Sequence, residues 1–466
     1  MKLRALLAAF LAISISIQAA LSMQPASAFP VDAGQSLPPG SELNEDALDS
    51  PRELFHSEQI GGRKPYLVNL GNLAFNAPNI LGKEARQANI SCGTCHVQGS
   101  SNPKFFIPQM SSAPGTFDTT GPLFNPNADD HAFNPVRIPS LRGARYLAPY
   151  GQDGRAASLR DFVRNVIVVE FSGPEPSNAI LDAVVAYIQD IDFLPNPSLT
   201  PGGKLTAGTS EAERRGEALF NKPFPHDPNL TCATCHVPSG LFMDHMQHDV
   251  GSGGFFRTPT LINADFNAPY FHDGRFNTFD QVVNYFDRQF DLQLLPQQKA
   301  DLVAYLTAIG DGVRAYERDG AAMRLRDATD FASVLATAIP AHDNEIIALA
   351  VETVGGGLQD LAERILDPSD PIVSGGEAER ELARRALKEV VLVLDRIGAD
   401  ATAGKYDEAA AGYKTYNRLM ISAVPIIVNK AQPWSLFNPA VHDAHYAALR
   451  RQIEAGKQPG AANHEQ

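Results

Sequence analysis

Four cysteines lie in two short motifs, and a histidine follows each motif at once. The motifs are residues 92–96 (CGTCH) and 232–236 (CATCH), and the 466 residues contain no other cysteine. This C-x-x-C-H pattern is typical of covalent haem attachment. Two thioether bonds fix the porphyrin, and the adjacent imidazole reaches one face of the iron. The pattern therefore predicts two c-type haems, attached through Cys92, Cys95, Cys232 and Cys235, with His96 and His236 as the proximal iron ligands.

Disulfides and a structural zinc site are the two alternatives to haem for four cysteines. An exported chain could form disulfides, but the histidine after each pair would then have no explanation. A structural zinc site needs four ligands brought together. Here the motifs begin 140 residues apart, at positions 92 and 232, and each has its own histidine. Haem attachment explains both features.

The surroundings of the two motifs also match each other. Residues 137–155 (RIPSLRGARYLAPYGQDGR) and 257–275 (RTPTLINADFNAPYFHDGR) are identical at ten of nineteen positions without a gap. Upstream, Phe75-Asn76 corresponds to Phe220-Asn221, and downstream, residues 185–187 correspond to residues 303–305 (both VAY). Such self-similarity in a constant order indicates an internal duplication.

Apolar periodicity predicts helices separated by long loops. Helices are expected to begin at Ser158 and Thr278, where Gln281 completes a capping box with Thr278. A second helix is expected in each half, at 178–191 and 297–309. Cysteines are absent from the C-terminal region, and four amphipathic helices are predicted at 325–338, 343–366, 376–397 and 405–429.

The N-terminus has the pattern of a secretory signal. Lys2 and Arg4 precede an apolar run over residues 5–21, and Ala26-Ser27-Ala28 is a typical cleavage site. We therefore expect residues 1–28 to be removed and the protein to be periplasmic, with an uncleaved anchor as the alternative. No other segment approaches spanning length, so the mature chain is not expected to be an integral membrane protein.

The charge balance limits the class of partner. The chain has 53 acidic against 39 basic residues and a formal net charge of -14. Nucleic acids bind basic protein surfaces through their phosphates, so this acidic chain is not expected to bind nucleic acid. A basic redox protein is the more natural complement.

The order of these motifs resembles the bacterial dihaem cytochrome c peroxidase and MauG superfamily. The sequence runs C-x-x-C-H, D-G-R-A-x-S-L, C-x-x-C-H, R-T-P-x-L-x-N and A-P-Y-F-H-D-G-R, and the resemblance covers about residues 50–312. It implies an all-α fold with two cytochrome c-like haem domains in tandem, at 29–195 and 205–315. Residues 316–466 would form an additional helical domain of unknown role.

The resemblance also implies roles for two residues of the first half. In the family, a displaceable distal histidine precedes the R-x-P-x-L block, and His131 lies six residues before Arg137. The alternative is a surface loop histidine, because His131 follows Asp129-Asp130. A catalytic Glu follows D-G-R-A-x-S-L in the family, and Glu170 fits that place if a short gap is allowed. The alternative for Glu170 is a solvated glutamate at a helix end.

Several positions depart from the family pattern. Gln152 stands where a Trp commonly lies between the haems, and Trp434 is the only Trp of the chain. The distal ligand of the second haem falls by count on Phe286, which cannot bind iron. The remaining candidates for that ligand are Tyr285, Met243, His245, Met246 and His248.

The family's calcium ion and its D-G-R motifs leave further alternatives. The calcium site uses an Asn whose place is taken here by Arg137, which argues against calcium, although carbonyls near Asn267 and Pro269 would still be available. Arg155 and Arg275 of the D-G-R motifs either cap helices with their aspartates or pair with haem propionates. His272 is expected to be a hydrogen-bond partner and not an iron ligand.

Three functions follow from these observations. The leading hypothesis is an enzyme, a periplasmic dihaem peroxidase that reduces hydrogen peroxide with electrons from a small cytochrome c or cupredoxin. The second is a MauG-like oxidase that acts on residues of a partner protein. The third is a dihaem electron carrier or interaction module without turnover, for which residues 316–466 could be a docking platform.

Overall fold

The computed structural model describes residues 37–43, 52–125, 127, 129–313 and 320–456. The predicted signal peptide lies outside these residues. Contacts divide the chain into one compact unit over residues 32–317 and another that contains residues 318–466. The described residues are mostly helical, with two short two-stranded sheets, so the predicted helical class is confirmed. Within the described part of the chain, no helix combines the length and apolar character needed to span a membrane.

The described residues in the N-terminal half of the first unit form six α-helices and one small sheet. Its antiparallel strands pair Thr116 with Arg137. The helices and strands are α1 His56–Gln59, α2 Tyr66–Phe75, α3 Lys83–Gln87, α4 Cys92–Cys95, β1 Thr116–Phe117, β2 Val136–Arg137, α5 Leu159–Asn165 and α6 Asn178–Asp190. A π-helical turn, Val166–Glu170, continues α5.

The C-terminal half of this unit repeats this order, but without counterparts of α1 and α3. Its sheet pairs Gln247 with Arg257 in antiparallel register. The elements are α7 Glu211–Phe220, α8 Cys232–Cys235, β3 Gln247–His248, β4 Phe256–Arg257, α9 Phe279–Gln289 and α10 Pro296–Gly310. The predicted capping box of α9 is present, since Thr278 Oγ1 accepts from Gln281 N and Gln281 Oε1 accepts from Thr278 N.

Two glycines allow matching helices to approach closely in the two halves. In the first half, a Cβ on Gly71 of α2 would collide with the Ala183 carbonyl of α6 and lie 2.7 Å from the Tyr187 Cβ. In the second, a Cβ on Gly216 of α7 would meet α10 in the same way, 2.6 Å from the Tyr305 Cβ. Since the close approach recurs at corresponding positions, it supports the duplication inferred from the sequence.

Gly71→Ala should therefore destabilise the protein. The added methyl group would push backbone against backbone, and overpacking of this kind costs about 1–3 kcal/mol of unfolding free energy. Denaturant unfolding of the holoprotein checks this value. Gly356→Ala is the matched control, because its Cβ would meet open space within a helix, and we expect it to raise stability by about 0.5–1 kcal/mol. Equal effects of the two variants would contradict the packing argument.

The described residues of the second compact unit form helices joined by loops, with one isolated β-bridge between Ile365 and Ser435. Fully buried Arg380 donates to the Asp367 carbonyl (2.8 Å) and the Pro368 carbonyl (3.0 Å), which ties the loop before α14 to that helix. The helices are α11 Ala321–Ala332, α12 Leu335–Ala338, α13 Asn344–Arg364, α14 Glu377–Thr402, α15 Tyr406–Ile421, α16 Ala423–Ala431 and α17 Pro439–Gly456. The predicted helices over 325–338 and 405–429 are thus each two helices, and α17 was not predicted.

Candidate functional site

Each C-x-x-C-H motif forms one helical turn that ends at its histidine. In the first, Thr94 Oγ1 accepts from the Ser91 amide (3.0 Å), and the His96 amide donates to the Cys92 carbonyl (2.9 Å). The second motif repeats this arrangement, with Thr234 Oγ1 accepting from the Thr231 amide (2.9 Å). All four cysteine side chains are partly exposed. The turn places both sulfurs and the imidazole of each motif within one short segment.

The two motif histidines are held through the same ring nitrogen. His96 Nδ1 lies 2.9 Å from the Pro139 carbonyl oxygen, and His236 Nδ1 lies 3.1 Å from the Phe242 carbonyl oxygen. Because a carbonyl only accepts, Nδ1 must carry the proton in each ring. Nε2 then keeps its lone pair, which is the arrangement of a histidine that binds a metal. The pair therefore fits the proximal ligands of two haem irons.

The environment of these rings keeps them neutral. Desolvation lowers the pKa of His96 to about 4, against the opposing effect of the Pro139 carbonyl. Desolvation also lowers the pKa of His236. A neutral imidazole is the form that can bind iron. Both rings are thus in the correct protonation state for this role at neutral pH.

Matching aromatic side chains flank the two histidines. The Phe75 ring lies 6.3 Å from the His96 ring and 5.0 Å from the Tyr187 ring. In the second half, the Phe220 ring lies 6.4 Å from the His236 ring and 5.1 Å from the Tyr305 ring. The duplication inferred from sequence therefore extends to the walls of the two sites.

His131 lies on an exposed loop. Its side chain is 86% exposed, and its Nδ1 lies 3.1 Å from a carboxylate oxygen of Asp129. The residue also has a left-handed backbone, with φ of 59°. This is the arrangement of the surface-loop alternative, and the loop would have to turn the ring inward to bind an iron. The distal-ligand role of His131 stays a prediction.

Glu170, in contrast, is largely enclosed at the end of the π-helical turn. Its side chain is 10% exposed, and its carboxylate lies 3.1 Å from Arg155 Nη2. Burial raises the pKa of Glu170, and the Arg155 guanidinium opposes that shift. Asn125 donates its side-chain amide to the neighbouring Val169 carbonyl and so holds this turn. Glu170 is therefore not a solvated glutamate at a helix end. Its catalytic role stays a prediction.

The D-G-R arginines make local ion pairs. Arg155 Nη1 lies 3.1 Å from Asp153, in addition to its contact with Glu170. Arg275 Nε lies 2.7 Å from Asp273, and its Nη2 donates to the Ser252 carbonyl (2.9 Å). These contacts are local to the motif, but Ser158 and Thr278, and not the motif aspartates, cap the helices that follow. The ring of His272 stacks on Phe256 at 3.6 Å between centroids.

The candidates for the second distal ligand occupy different environments. Met243 is buried (1% exposed) and Met246 is 60% exposed. His245 Nδ1 lies 2.7 Å from the Ala148 carbonyl oxygen, and the Tyr285 hydroxyl donates to the Val250 carbonyl (2.8 Å). His248 Nε2 lies 2.6 Å from Asp244. The ligand therefore stays open among these residues.

Sequence reasoning missed a group around the second motif. Ligand atoms of Cys235, Asp244 and His248 all lie within 4.8 Å of one another. The spacing of Asp244 and His248, four residues apart, was a detectable sign of it. Since a thioether would take up the Cys235 sulfur, this group is part of the haem site and not a separate metal site.

Comparison with known proteins agrees with this geometry. Residues 210–347 match the family model described as di-haem cytochrome c peroxidase. This match contains the second haem motif. The chain is also 25% identical over 307 residues to hydrazine synthase subunit gamma of Kuenenia stuttgartiensis, covering 53% of this chain and 78% of that protein.

Other relatives carry the family names directly. Methylamine utilization protein MauG of Methylorubrum extorquens is 23% identical over 307 residues, covering 53% of this chain and 78% of that protein. Cytochrome-c peroxidase IdrP1 of Pseudomonas sp. strain SCT is 37% identical over 67 residues, 12% of this chain and 18% of that protein. The resemblance to the dihaem cytochrome c peroxidase and MauG superfamily is thus confirmed.

Two solved structures are also similar. One is the hydrazine synthase of Kuenenia stuttgartiensis pressurized with xenon, with a TM-score of 0.39 and 22% identity over 61% of this chain and 97% of that chain. The other is a MauG-like protein associated with microbial copper homeostasis, with a TM-score of 0.37 and 17% identity over 56% of this chain and 93% of that chain.

Proposed function

We propose, from this similarity and the site geometry, that the chain is a periplasmic dihaem peroxidase that reduces hydrogen peroxide to water. Two electrons come from a small cytochrome c or cupredoxin, and two protons complete the two water molecules. The observation that carries the proposal is the enclosed Glu170 carboxylate beside Arg155. The corresponding helix of the second half, Phe279–Gln289, contains no glutamate. This difference supports chemistry at the first haem and electron entry at the second.

The protein's own residues contribute proton transfer and orientation. A haem bound at Cys92, Cys95 and His96 would supply the iron at which peroxide is reduced. Glu170, when ionised, accepts the proton of one peroxide oxygen. It then returns this proton to the other peroxide oxygen, which leaves as water. Arg155 orients this carboxylate and favours its ionised form through the 3.1 Å contact. His96 is fixed by the Pro139 carbonyl, which sets the direction of its Nε2.

A MauG-like oxidase is the second candidate. Similarity to MauG extends over 307 residues, whereas similarity to the cytochrome-c peroxidase IdrP1 extends over 67. Gln152 also replaces the Trp that peroxidases of this family commonly place between the haems. In this alternative, side chains of a partner protein would supply the electrons in place of a small redox protein.

Steady-state peroxide consumption with reduced cytochrome c or a reduced cupredoxin tests the proposal. We expect turnover within the usual enzymatic range, on the order of 1–10³ s⁻¹, and one iron that becomes high-spin on partial reduction in the EPR spectrum. Oxidation of a partner protein without turnover of small donors would favour the MauG-like alternative. If both irons stay six-coordinate and peroxide is not consumed with any donor, the protein is an electron carrier and the peroxidase proposal is wrong.

A further inference from the structure

The two halves of the first compact unit meet through a reciprocal pair of backbone hydrogen bonds. The Arg137 amide donates to the His272 carbonyl (2.7 Å), and the Arg257 amide donates to the Gln152 carbonyl (2.9 Å). Positions 137 and 257, and positions 152 and 272, correspond in the duplication. Each half therefore presents corresponding positions to the other, which is the pattern of an approximate twofold relation.

The side chains of the same two arginines also cross between the halves. Arg137 Nη1 donates to the Asn267 carbonyl (3.1 Å), and Arg257 Nη1 donates to the Leu147 carbonyl. We call Arg137, Arg257 and these two carbonyls the arginine seam. Both arginines begin the repeated nineteen-residue block, so the duplication itself accounts for their pairing.

The two positive charges of the seam have no acidic partner among the described residues. Desolvation and then the charge of Arg257 lower the pKa of Arg137 to about 10, and desolvation also lowers the pKa of Arg257. Among the residues that the structure describes, neither side chain makes an ion pair. The Nε atoms of both, and the Oδ1 atom of Asn267, are buried without a hydrogen-bond partner. Buried charges of one sign are costly unless an anion accompanies them.

Each arginine lies close in sequence to a residue that contacts a motif histidine. Pro139, two residues after Arg137, accepts from His96 Nδ1 at 2.9 Å. Pro259, two residues after Arg257, has a backbone hydrogen bond with His236. A haem at each site would bring two propionate carboxylates, which are anions suited to bidentate arginine donors.

We propose that Arg137 and Arg257 bind haem propionates at the junction of the two halves, and that they provide the positive charge that the family obtains there from calcium. The proposal rests on the two haems of the proposed function and not on peroxide turnover.

The residues of the seam do not fit calcium. A calcium ion requires six to eight oxygen ligands at about 2.3–2.6 Å. The Asn267 carbonyl already accepts from the Arg137 guanidinium. An ion at that carbonyl would lie beside a unit positive charge, in surroundings too poorly solvated to screen the repulsion. Calcium is therefore not expected at the junction.

Metal content and thermal unfolding of the purified holoprotein test the absence of calcium. The protein is dialysed against calcium chloride, then against buffer, and analysed by inductively coupled plasma mass spectrometry. We expect no calcium at a stoichiometric level, and the same midpoint of unfolding with calcium chloride or with EGTA. One retained calcium per chain together with a lower midpoint in EGTA would overturn the proposal.

Redox titration of the haem absorbance tests the arginines themselves. Removing a positive charge near a propionate disfavours the reduced iron, so Arg137→Gln and Arg257→Gln should each lower a midpoint potential. A tenfold change in the reduction equilibrium corresponds to about 59 mV for one electron, and we expect a change of that order. Arg137→Lys keeps the charge and should retain most of the original potential.

Arg160→Gln is the control for these variants. Arg160 is a half-buried residue of the same unit whose side chain is paired with Asp182 at 2.6 Å, and its loss should leave both potentials unchanged. If Arg137→Gln does not fold, Arg257→Gln provides the same test. Potentials of the two arginine-to-glutamine seam variants that do not differ from the Arg160→Gln control would refute the proposal. These measurements use no peroxide, so a failure here is distinct from a failure of the peroxidase proposal.

Discussion

Glu170→Gln should lower kcat for peroxide reduction by about 10²–10⁴-fold, the usual contribution of a positioned general acid–base. The amide keeps the shape of the side chain but cannot accept and return the proton. Haem content and the ultraviolet circular dichroism spectrum should stay unchanged, because the thioether sites do not involve this residue. Steady-state kinetics with a saturating reduced donor measures the effect.

The pH dependence gives this prediction a second readout. Burial raises the pKa of Glu170, and only the ionised carboxylate can accept the first proton. Turnover should therefore fall as the pH decreases through a value above that of an ordinary glutamate. Glu170→Gln should remove this dependence.

Glu175→Gln is the matched control for Glu170→Gln. Glu175 is an exposed glutamate five residues further on and pairs with Arg164. Its replacement should leave kcat and the pH profile unchanged. Turnover that survives in Glu170→Gln at the level of this control would exclude Glu170 from the mechanism.

Replacing the first cysteine pair should remove one of the two covalent haems. In Cys92→Ser/Cys95→Ser, the first haem has no sulfur to which it can be attached, so we expect one covalent haem per chain and no peroxide turnover. Cys232→Ser/Cys235→Ser should also leave one haem. That variant should still bind ligands at the first haem but lose rapid reduction by the donor protein. The pyridine haemochrome assay counts the haems.

The comparison of the two double variants identifies the role of each half. Peroxide turnover retained in Cys92→Ser/Cys95→Ser would assign the reaction to the second haem. Two haems retained in either variant would mean that the attachment sites have been assigned incorrectly.

Local features of the site could be predicted from the sequence because a few adjacent residues determine them. The motif turns and the capping box of α9 depend on residues within four positions of one another. The helix boundaries at Asn178–Asp190 and Pro296–Gly310 lie within one residue of those expected. Apolar periodicity is sufficient for such elements.

The remaining features depend on contacts across long stretches of chain. The π-helical turn at Val166–Glu170 adds a residue to a helix, and a pattern of period 3.6 does not reveal it. The sequence does not determine the exposure of His131 or the enclosure of Glu170, because burial is decided by tertiary packing. The arginine seam joins residues 130 positions apart, Arg137 and Asn267. The only sign of it in the sequence is the duplication, which places both arginines at the start of the repeated block.

Intact mass spectrometry of the purified protein, made in a host with haem-ligation machinery, tests the two covalent haems most directly. We expect the mass of the processed chain plus two haems, and a pyridine haemochrome count of two per chain. A colourless protein whose mass equals that of the chain alone would contradict the assignment of both attachment sites.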